Sequence, residues 1–299
     1  MIAAAAGPLP GAAFVVGALT FVLTWLVASA LLGLGNTVGY HRLLTHRSFA
    51  TPRPVRWLLT LFGALHSGSP LTWVALHRQH HTRSDADGDP HSPREGFWHA
   101  HCGWLIGTKN PVLCVLFALS GFGQQAAVLM HDLRRLAGNN PPVWLEITKD
   151  LNDDPVLRLL DTPLVIPALF LVQLGLAVAI GGGWGVLWLW LLHVAMTNGS
   201  WAVNSVGHTT AFGHESHDNR DTSRNVPWLA WITFGEGWHN NHHRYPRSAW
   251  HALGEGPDPS WWLLRAGMAT GLVREVWLPK AQRDVLPEAL RAGRRKNRA

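Results

Sequence analysis

The chain begins with a long apolar run. Residues 1–40 contain no charged side chain, and residues 11–34 are apolar over a length that crosses a bilayer. This run lacks the basic start and the clear cleavage site of a signal peptide, so it predicts a transmembrane helix. Four arginines follow it closely: Arg42, Arg47, Arg53 and Arg56. Positive charge favours the cytoplasmic side, so the N-terminus is predicted to lie outside.

Two further apolar segments carry interruptions. Residues 57–76 are broken at 66–70 by the sequence His-Ser-Gly-Ser-Pro, which ends a helix midway. If this segment crossed the membrane, the histidines at its two ends would lie on opposite faces and could not share a site. Residues 111–130 carry glycine and glutamine in their second half. Both segments are therefore predicted to be interfacial or re-entrant helices.

The second half of the chain predicts a transmembrane hairpin and a polar cap. Residues 163–180 and 184–206 are apolar and are joined by three glycines that favour a tight turn. Residues 207–280 form a polar cytoplasmic cap, and residues 281–299 form a basic tail. The predicted fold is an all-α integral membrane protein, one domain over 1–299, with about three transmembrane helices and a helical cap.

Composition supports a membrane protein. The 299 residues are 47% hydrophobic and only 15% charged, which is too apolar for an ordinary soluble enzyme. Seventeen tryptophans against two tyrosines suit a belt at the membrane interface. The net charge of +6 is carried partly by the basic tail, which is typical of a segment near anionic membrane lipid. Nucleic-acid binding is disfavoured, because the basic run is short and no recognition motif accompanies it.

Histidines cluster in a pattern typical of metal sites. The pattern H-x-x-H-H occurs at 77–81 and again at 239–243, and in a helix its three histidines share one face. His41 and His46 are five apart, which a regular helix separates by about 140°, so they are expected to converge only if the helix ends near His41. Asn204 and His208 are spaced i, i+4. The candidate ligands are His41, His46, His77, His80, His81, His208, His239, His242 and His243.

Nine imidazoles indicate two adjacent metals. Structural zinc takes four ligands and catalytic zinc usually three, so nine exceed one zinc site. Imidazole suits iron, and iron activates dioxygen where zinc does not. Seven other histidines have no partner at ligand spacing and are interpreted as ordinary capped or exposed side chains: His66, His99, His131, His193, His214, His217 and His251.

The histidine boxes and the motifs around them resemble the membrane fatty-acid desaturases of the stearoyl-CoA (delta-9) type. The resemblance covers roughly residues 30 to 250, in the order of that family. It rests on HRLLTHRSF at 41–49, HRQHH at 77–81, GDPHSP at 88–93, HCGW at 101–104, NSVGH at 204–208 and GEGWHNNHHRYP at 235–246.

The resemblance implies a non-haem di-iron enzyme that uses dioxygen and two electrons to insert a cis double bond into a saturated acyl chain on coenzyme A or lipid. The nine histidines would ligate iron, and Asn204 would approach one iron through water. No cytochrome b5 motif follows the last box, so a separate ferredoxin-, rubredoxin- or cytochrome b5-type donor with its reductase is expected. The active site would lie on the cytoplasmic face.

The chain departs from the family pattern in two further places. The family usually has two spans before the first box, whereas residues 1–40 have room for one, so the chain is expected to be truncated or to lack the outer helix. Residues 110–140 resemble an insertion. Neither departure removes a candidate ligand.

Tryptophans and arginines near the boxes are candidates for substrate contacts. Core packing explains the tryptophans better, and the positive-inside pattern explains the arginines about as well. An acyl tunnel could be walled by Trp73, Trp98, Trp201 and Trp231. A phosphorylated head group such as that of coenzyme A could be held by Arg78, Arg83, Arg94, Arg244 and Arg247.

Two alternatives to a desaturase stay open. A hydroxylase or ketolase would use the same irons and return oxygen to the substrate radical. A non-enzymatic metal-binding or transport protein is the other alternative. The H-x-x-x-x-H box and the pair of Asn204 and His208 favour desaturation, and the cytoplasmic placement of the histidines disfavours transport across the membrane.

Overall fold

The computed structural model describes residues 10–138 and 146–288, and side chains from residue 14. Within these ranges the chain forms helices, three isolated bridge pairs and no β-strand, which confirms the all-α class. Residues 289–299 of the predicted basic tail lie outside them. The α-helices are α1 Pro10–Leu34, α2 Arg53–Ser67, α3 Pro70–Arg83, α4 Trp104–Ile106, α5 Pro111–Leu119, α6 Gly123–Leu136, α7 Pro155–Asp161, α8 Val165–Ser205, α9 Pro227–Ile232, α10 His239–Arg244 and α11 Pro259–Ala269.

Two described helices are long and apolar enough to cross a membrane, at 14–45 and 165–208. A third candidate is the pair His99–Ile106 and Pro111–Leu119, which is bent by 85°. Many apolar side chains of α1, among them Val16 and Leu23, are more than half exposed, as expected of a surface that faces lipid. These helices fit the integral-membrane class.

The long helix α8 is a hairpin of two arms. Gly182 has φ +52 and ψ −131, a conformation that other residues rarely adopt, and the helix folds back at this point. The rings of Phe170 and His193 lie 5.5 Å apart although they are 23 positions apart in sequence. In a straight helix that separation would be about 34 Å. The turn therefore lies within the glycine triplet.

The segment after α1 continues as a π-helix, Gly35–Thr45, and α2 packs antiparallel against it. Glycines make this close contact possible, because a Cβ on Gly35 would overlap the backbone of Gly63, and one on Gly39 would press on Leu59. The chain reverses at Gly68, and α3 returns it to the starting side. His77 on α3 therefore comes back to the level of His41, which lies in the π-helix.

A buried arginine joins the π-helix to the C-terminal cap. Arg42 is fully buried, and its guanidinium donates to Glu236 at 2.9 Å and to Asp258 at 3.2 Å. Asp258 also accepts the backbone N–H of Trp261 and so caps α11. Because a buried charge is stable only when paired, this network holds the cap in one position against the π-helix.

Candidate metal centre

The nine histidines come together in two groups of potential ligands. In each group, one ligand atom from every residue lies within 4.8 Å of the others. The first group consists of His41, His46, His77, His81 and His242. The second group consists of His80, His208, His239 and His243.

In the first group, the π-helix brings His41 and His46 together. The backbone N–H of His46 donates to the carbonyl of His41, and the two rings lie 4.8 Å apart. A π-helix has a hydrogen bond between residues five apart, so these two positions stack. The expectation that the helix must end near His41 was therefore wrong: the helix widens instead and runs on to Thr45.

The spacing of ring nitrogens in the first group suits a metal. Nε2 of His242 lies 3.0 Å from Nε2 of His41 and 2.8 Å from that of His81. Nε2 of His77 lies 3.1 Å from that of His81. Two nitrogens bound at about 2.0–2.1 Å from one metal, at right angles, would be about 2.9 Å apart.

The second group combines α3, the end of α8 and α10. The Nε2 atoms of His208 and His239 lie 2.9 Å apart, and those of His80 and His243 lie 3.4 Å apart. All four side chains are buried or nearly so. The two groups adjoin, because His80 and His81 are neighbours on α3 and His242 and His243 are neighbours on α10.

Carboxylates fix the orientation of four of these rings. Each carboxylate lies at the Nδ1 atom of its histidine. The pairs are His41 with Glu236, His80 with Asp89, His208 with Asp85, and His243 with Asp221. An Nδ1–H that donates to a carboxylate leaves Nε2 with its lone pair, which is the usual second contact of a metal-binding histidine.

The pair His80 and His243 tests whether the site fits a metal. Asp89 lies 3.0 Å from Nδ1 of His80, and Asp221 lies 2.6 Å from Nδ1 of His243. Both Nε2 atoms are then lone-pair donors, and at 3.4 Å they face each other without a proton between them. Such a pair repels unless a cation lies between the nitrogens. The donor set therefore fits a bound metal ion.

Burial keeps the ring nitrogens available. It lowers the pKa of His80, against the opposing effect of the Asp89 hydrogen bond. Burial also lowers the pKa well below 6.5 for five other histidines of the two groups: His77, His81, His239, His242 and His243. Burial alone would raise the pKa of Asp85, but hydrogen bonds from His208 and Thr222 lower it. At neutral pH the imidazoles are therefore uncharged and this carboxylate is ionised.

A cavity of about 600 Å³ reaches this centre. Its lining includes His41, His77 and His239, and Asn204 lies on the same wall. This volume is typical of pockets that enclose small molecules. The cavity therefore brings a ligand to the edge of both histidine groups.

The cavity wall only partly follows the tryptophans singled out from sequence. Trp73 and Trp201 line it, and so does Trp104, which the sequence did not single out. Trp98 packs instead beside Cys102. Trp231 is 55% exposed and packs against Trp262.

Several of the candidate arginines already have partners. Arg78 donates to Asp150 at 2.6 Å and to the backbone carbonyls of Leu44 and Ile147. Arg247 donates to a backbone carbonyl, and Arg244 lies over the ring of Tyr245. These contacts hold loops around the centre. They support a structural role for Arg78 in particular.

Sequence reasoning missed the residues that contact the candidate histidine ligands from behind. His251 was interpreted as ordinary, but it is fully buried, its ring lies 4.5 Å from that of His242, and its Nδ1 lies 3.6 Å from Glu236. Asp89 and Glu236 lie inside motifs that were recognised, so their proximity to the boxes was a usable signal. Asp85 lies just outside a motif, and its pairing with His208 had no signal in the sequence.

The helices and the two histidine groups indicate a membrane protein with a candidate metal site and a cavity beside it. Comparison with known proteins gives the class. The "Fatty acid desaturase" family model matches residues 18–267. The chain therefore belongs to the fatty acid desaturase family, as the resemblance implied, and it is a fatty acid desaturase, an oxidoreductase that acts on acyl chains.

Three relatives illustrate the match. The chain is 37% identical to the sn-1 stearoyl-lipid 9-desaturase of Anabaena variabilis, over 81% of this chain and 74% of the relative. It is 36% identical to the protein of the same name from Synechocystis sp., over 83% and 68%. It is 33% identical to the chloroplastic palmitoyl-monogalactosyldiacylglycerol delta-7 desaturase of Arabidopsis thaliana, over 87% and 64%.

Proposed function

We propose that the protein is an oxygen-dependent di-iron acyl-lipid desaturase that inserts a cis double bond at position 9 of a saturated acyl chain. The observation that carries this proposal is the pair His80 and His243, whose Nε2 atoms face each other at 3.4 Å as two ligands of one metal would. The names of the relatives from Anabaena variabilis and Synechocystis sp. support position 9 and a lipid carrier.

Two irons would occupy the two histidine groups. The five histidines of the first group would hold one iron and the four of the second group the other. Asn204, on the cavity wall, would reach the second iron through a water molecule. Nitrogen-rich ligation suits iron, and the bound irons would supply the activation of dioxygen that an unactivated C–H bond requires.

Residues of the chain position the histidine rings and the acyl chain. The carboxylates at Nδ1 hold the rings in one tautomer, so the ligand set does not rearrange during the reaction. The cavity fixes which two adjacent methylenes face the centre, with Trp73 and Trp201 among its walls. In the overall reaction each methylene loses one hydrogen and a C=C bond forms. Dioxygen takes up these two hydrogens together with two electrons from the donor and two protons, and it leaves as two waters.

Electrons would come from a separate carrier of the ferredoxin, rubredoxin or cytochrome b5 type, with its reductase, on the cytoplasmic side. A second cavity supports an approach from the surface. Its lining includes His46 and His81 of the first group together with Arg78 and Pro246. The arginines that follow α1 support the cytoplasmic placement of this face.

The test is expression of the full chain in a host that lacks its delta-9 desaturase, followed by gas chromatography and mass spectrometry of the fatty acids. The expected product is a cis monoene with the double bond at position 9. The matched control is His242→Ala, which removes a first-group ligand and should abolish the product and lower bound iron. A hydroxy or keto product would instead support the hydroxylase or ketolase, and an iron-loaded, reductant-supplied protein without any product would contradict an enzyme of either kind.

A further inference from the structure

We infer that the cavity opens sideways at the membrane interface, between α4 and α6, and that Arg134 at this opening binds the phosphate of a glycerophospholipid whose acyl chain is the substrate. The inference rests on the proposed function and gives its substrate a chemical class. It also gives a role to α6, which lies in the segment that resembles an insertion.

One face of α6 forms a wall of the cavity. Gln124, Ala127, His131 and Arg134 all line it, at steps of three or four residues, as one face of a helix requires. The charged residues of this wall, Asp132 and Arg134, lie near the C-terminal end of α6. Asp132 is buried and accepts a backbone N–H, whereas the side chain of Arg134 is exposed. The basic end of α6 is therefore the end that carries Arg134 and Arg135.

Apolar side chains also border the opening. Ile106 on α4 and Met130 on α6 both line the cavity, yet they are 39% and 51% exposed. A side chain that both lines a cavity and is exposed marks an opening. Since α4 and α6 pack together, one opening lies between these two helices. Ile232 on α9, which also lines the cavity and is 60% exposed, marks a second one.

The basic end of α6 lies where the chain enters the membrane hairpin. Asp132 accepts the backbone N–H of Leu164 at 2.8 Å, and Arg135 pairs with Asp161 at 3.2 Å. The apolar arm of α8 begins immediately afterwards at Val165. The end of an apolar membrane arm lies at the depth of lipid head groups, so the opening faces the boundary between head groups and acyl chains.

Charge at the opening favours an anion. Arg135 is paired with Asp161, whereas no carboxylate among the described residues lies within 4 Å of the guanidinium of Arg134. An arginine with its fork of donors available binds phosphate through two parallel hydrogen bonds. A galactolipid has no anionic group to offer. A phospholipid places its phosphate at this depth while its acyl chain reaches inward.

The experiment uses the full-length, iron-loaded protein with its reductant. Stearoyl chains are presented on phosphatidylglycerol, on monogalactosyldiacylglycerol or on coenzyme A, in uncharged maltoside micelles. Arg134→Gln should raise KM about tenfold for phosphatidylglycerol and leave kcat unchanged, because the lost contact is remote from the reacting carbons. KM for the other two carriers should not change. The matched control is Arg158→Gln, on α7, which is exposed and outside the cavity lining.

Binding provides a readout that is independent of turnover. Calorimetry with short-chain phosphatidylglycerol and the metal-free protein should give about tenfold weaker binding in the Arg134→Gln variant, and Arg134→Lys should recover part of it. If the glutamine variant fails to fold, the binding affinity of the lysine variant still tests the phosphate contact.

Each other outcome overturns the inference. An unchanged KM for phosphatidylglycerol in Arg134→Gln would show that Arg134 does not bind the phosphate. An equal loss with all three carriers means that Arg134 supports the fold. A rise in KM confined to stearoyl-coenzyme A assigns the phosphate to that carrier rather than to a lipid. No product from any carrier with the wild-type protein would instead overturn the proposed function, and the inference with it.

Discussion

The backbone N–H of His46 donates to the carbonyl oxygen of His41 at 3.1 Å, across five residues. This bond belongs to the π-helix Gly35–Thr45, whose wider turn stacks positions that an α-helix would separate by about 140°. The two rings consequently lie 4.8 Å apart and point into the first histidine group. The wider turn therefore places both imidazoles where they could bind one metal.

We predict that one alanine inserted between Leu43 and Leu44 will separate these two rings. Iron content should fall from about two to about one per chain, and desaturation should be lost, because the first group loses its geometry. Elemental analysis by mass spectrometry measures the iron. An alanine inserted between Ala211 and Phe212, in an exposed turn of the cap, is the matched control and should keep both irons. Two irons in the first variant would contradict the prediction.

The carboxylate at Nδ1 of His80 gives a second prediction. Asp89→Asn should weaken metal binding by about 10- to 100-fold, because the neutral amide is a weaker acceptor for Nδ1–H and has only one oxygen, whereas both oxygens of Asp89 also accept backbone N–H groups. Asp87→Asn is the control in the same loop, since Asp87 is exposed. Competition with a chelator at known free iron measures the affinity. Equal affinities of the two variants would show that Asp89 does not orient the ring.

Metal removal gives a third prediction. Ring nitrogens within the second group face one another at 2.9 and 3.4 Å, so the metal-free protein should be less stable. Iron at 100 times its dissociation constant should add about 2.7 kcal/mol to the free energy of unfolding. Thermal unfolding in detergent measures this. Zinc should restore stability without activity, because it has no redox chemistry. Activity with zinc alone would contradict the redox role of the metal.

The sequence predicted the helical class and the nine candidate histidines because both have local signatures. Apolar runs of span length and repeated H-x-x-H-H boxes depend only on residues near each other in the chain. The site around them depends on distant residues. Asp85 pairs with His208 across 123 positions, and no local pattern connects the two.

The π-helix and the role of His251 escaped prediction for a related reason. A π-helix is rare and has no distinct propensity, so regular α geometry at His41 suggested that the helix must end there. His251 lies eight positions beyond the last box, and only the fold of the cap brings it against His242. In both cases tertiary contacts decide the outcome.

A fourth prediction concerns His66, which lies in the cavity wall away from the histidine groups. Burial, with a smaller effect of His193, lowers the pKa of His66 to about 3. The unfolded chain takes up a proton below pH about 6.5 and the folded chain does not, so stability falls as pH decreases from 6.5. Relative to His66→Gln, the wild type should lose about 2 kcal/mol by pH 5. Thermal unfolding between pH 5 and pH 7.5 tests this, and parallel curves for the two proteins would contradict it.

The hairpin of α8 gives the last prediction. Gly182 has φ +52 and ψ −131, and a Cβ at this position would meet no other atom, so a side chain there would be disfavoured by the backbone alone. Gly182→Ala should therefore lower the free energy of unfolding by about 1–3 kcal/mol. Gly183→Ala is a matched control one residue away, because a Cβ there also meets open space and its φ is not positive. It should change stability little, and both variants should keep their iron, because the turn is remote from the histidine groups. If the two alanine variants unfold at the same temperature, the backbone at Gly182 does not disfavour a side chain. That result would contradict the reversal of α8 at this residue.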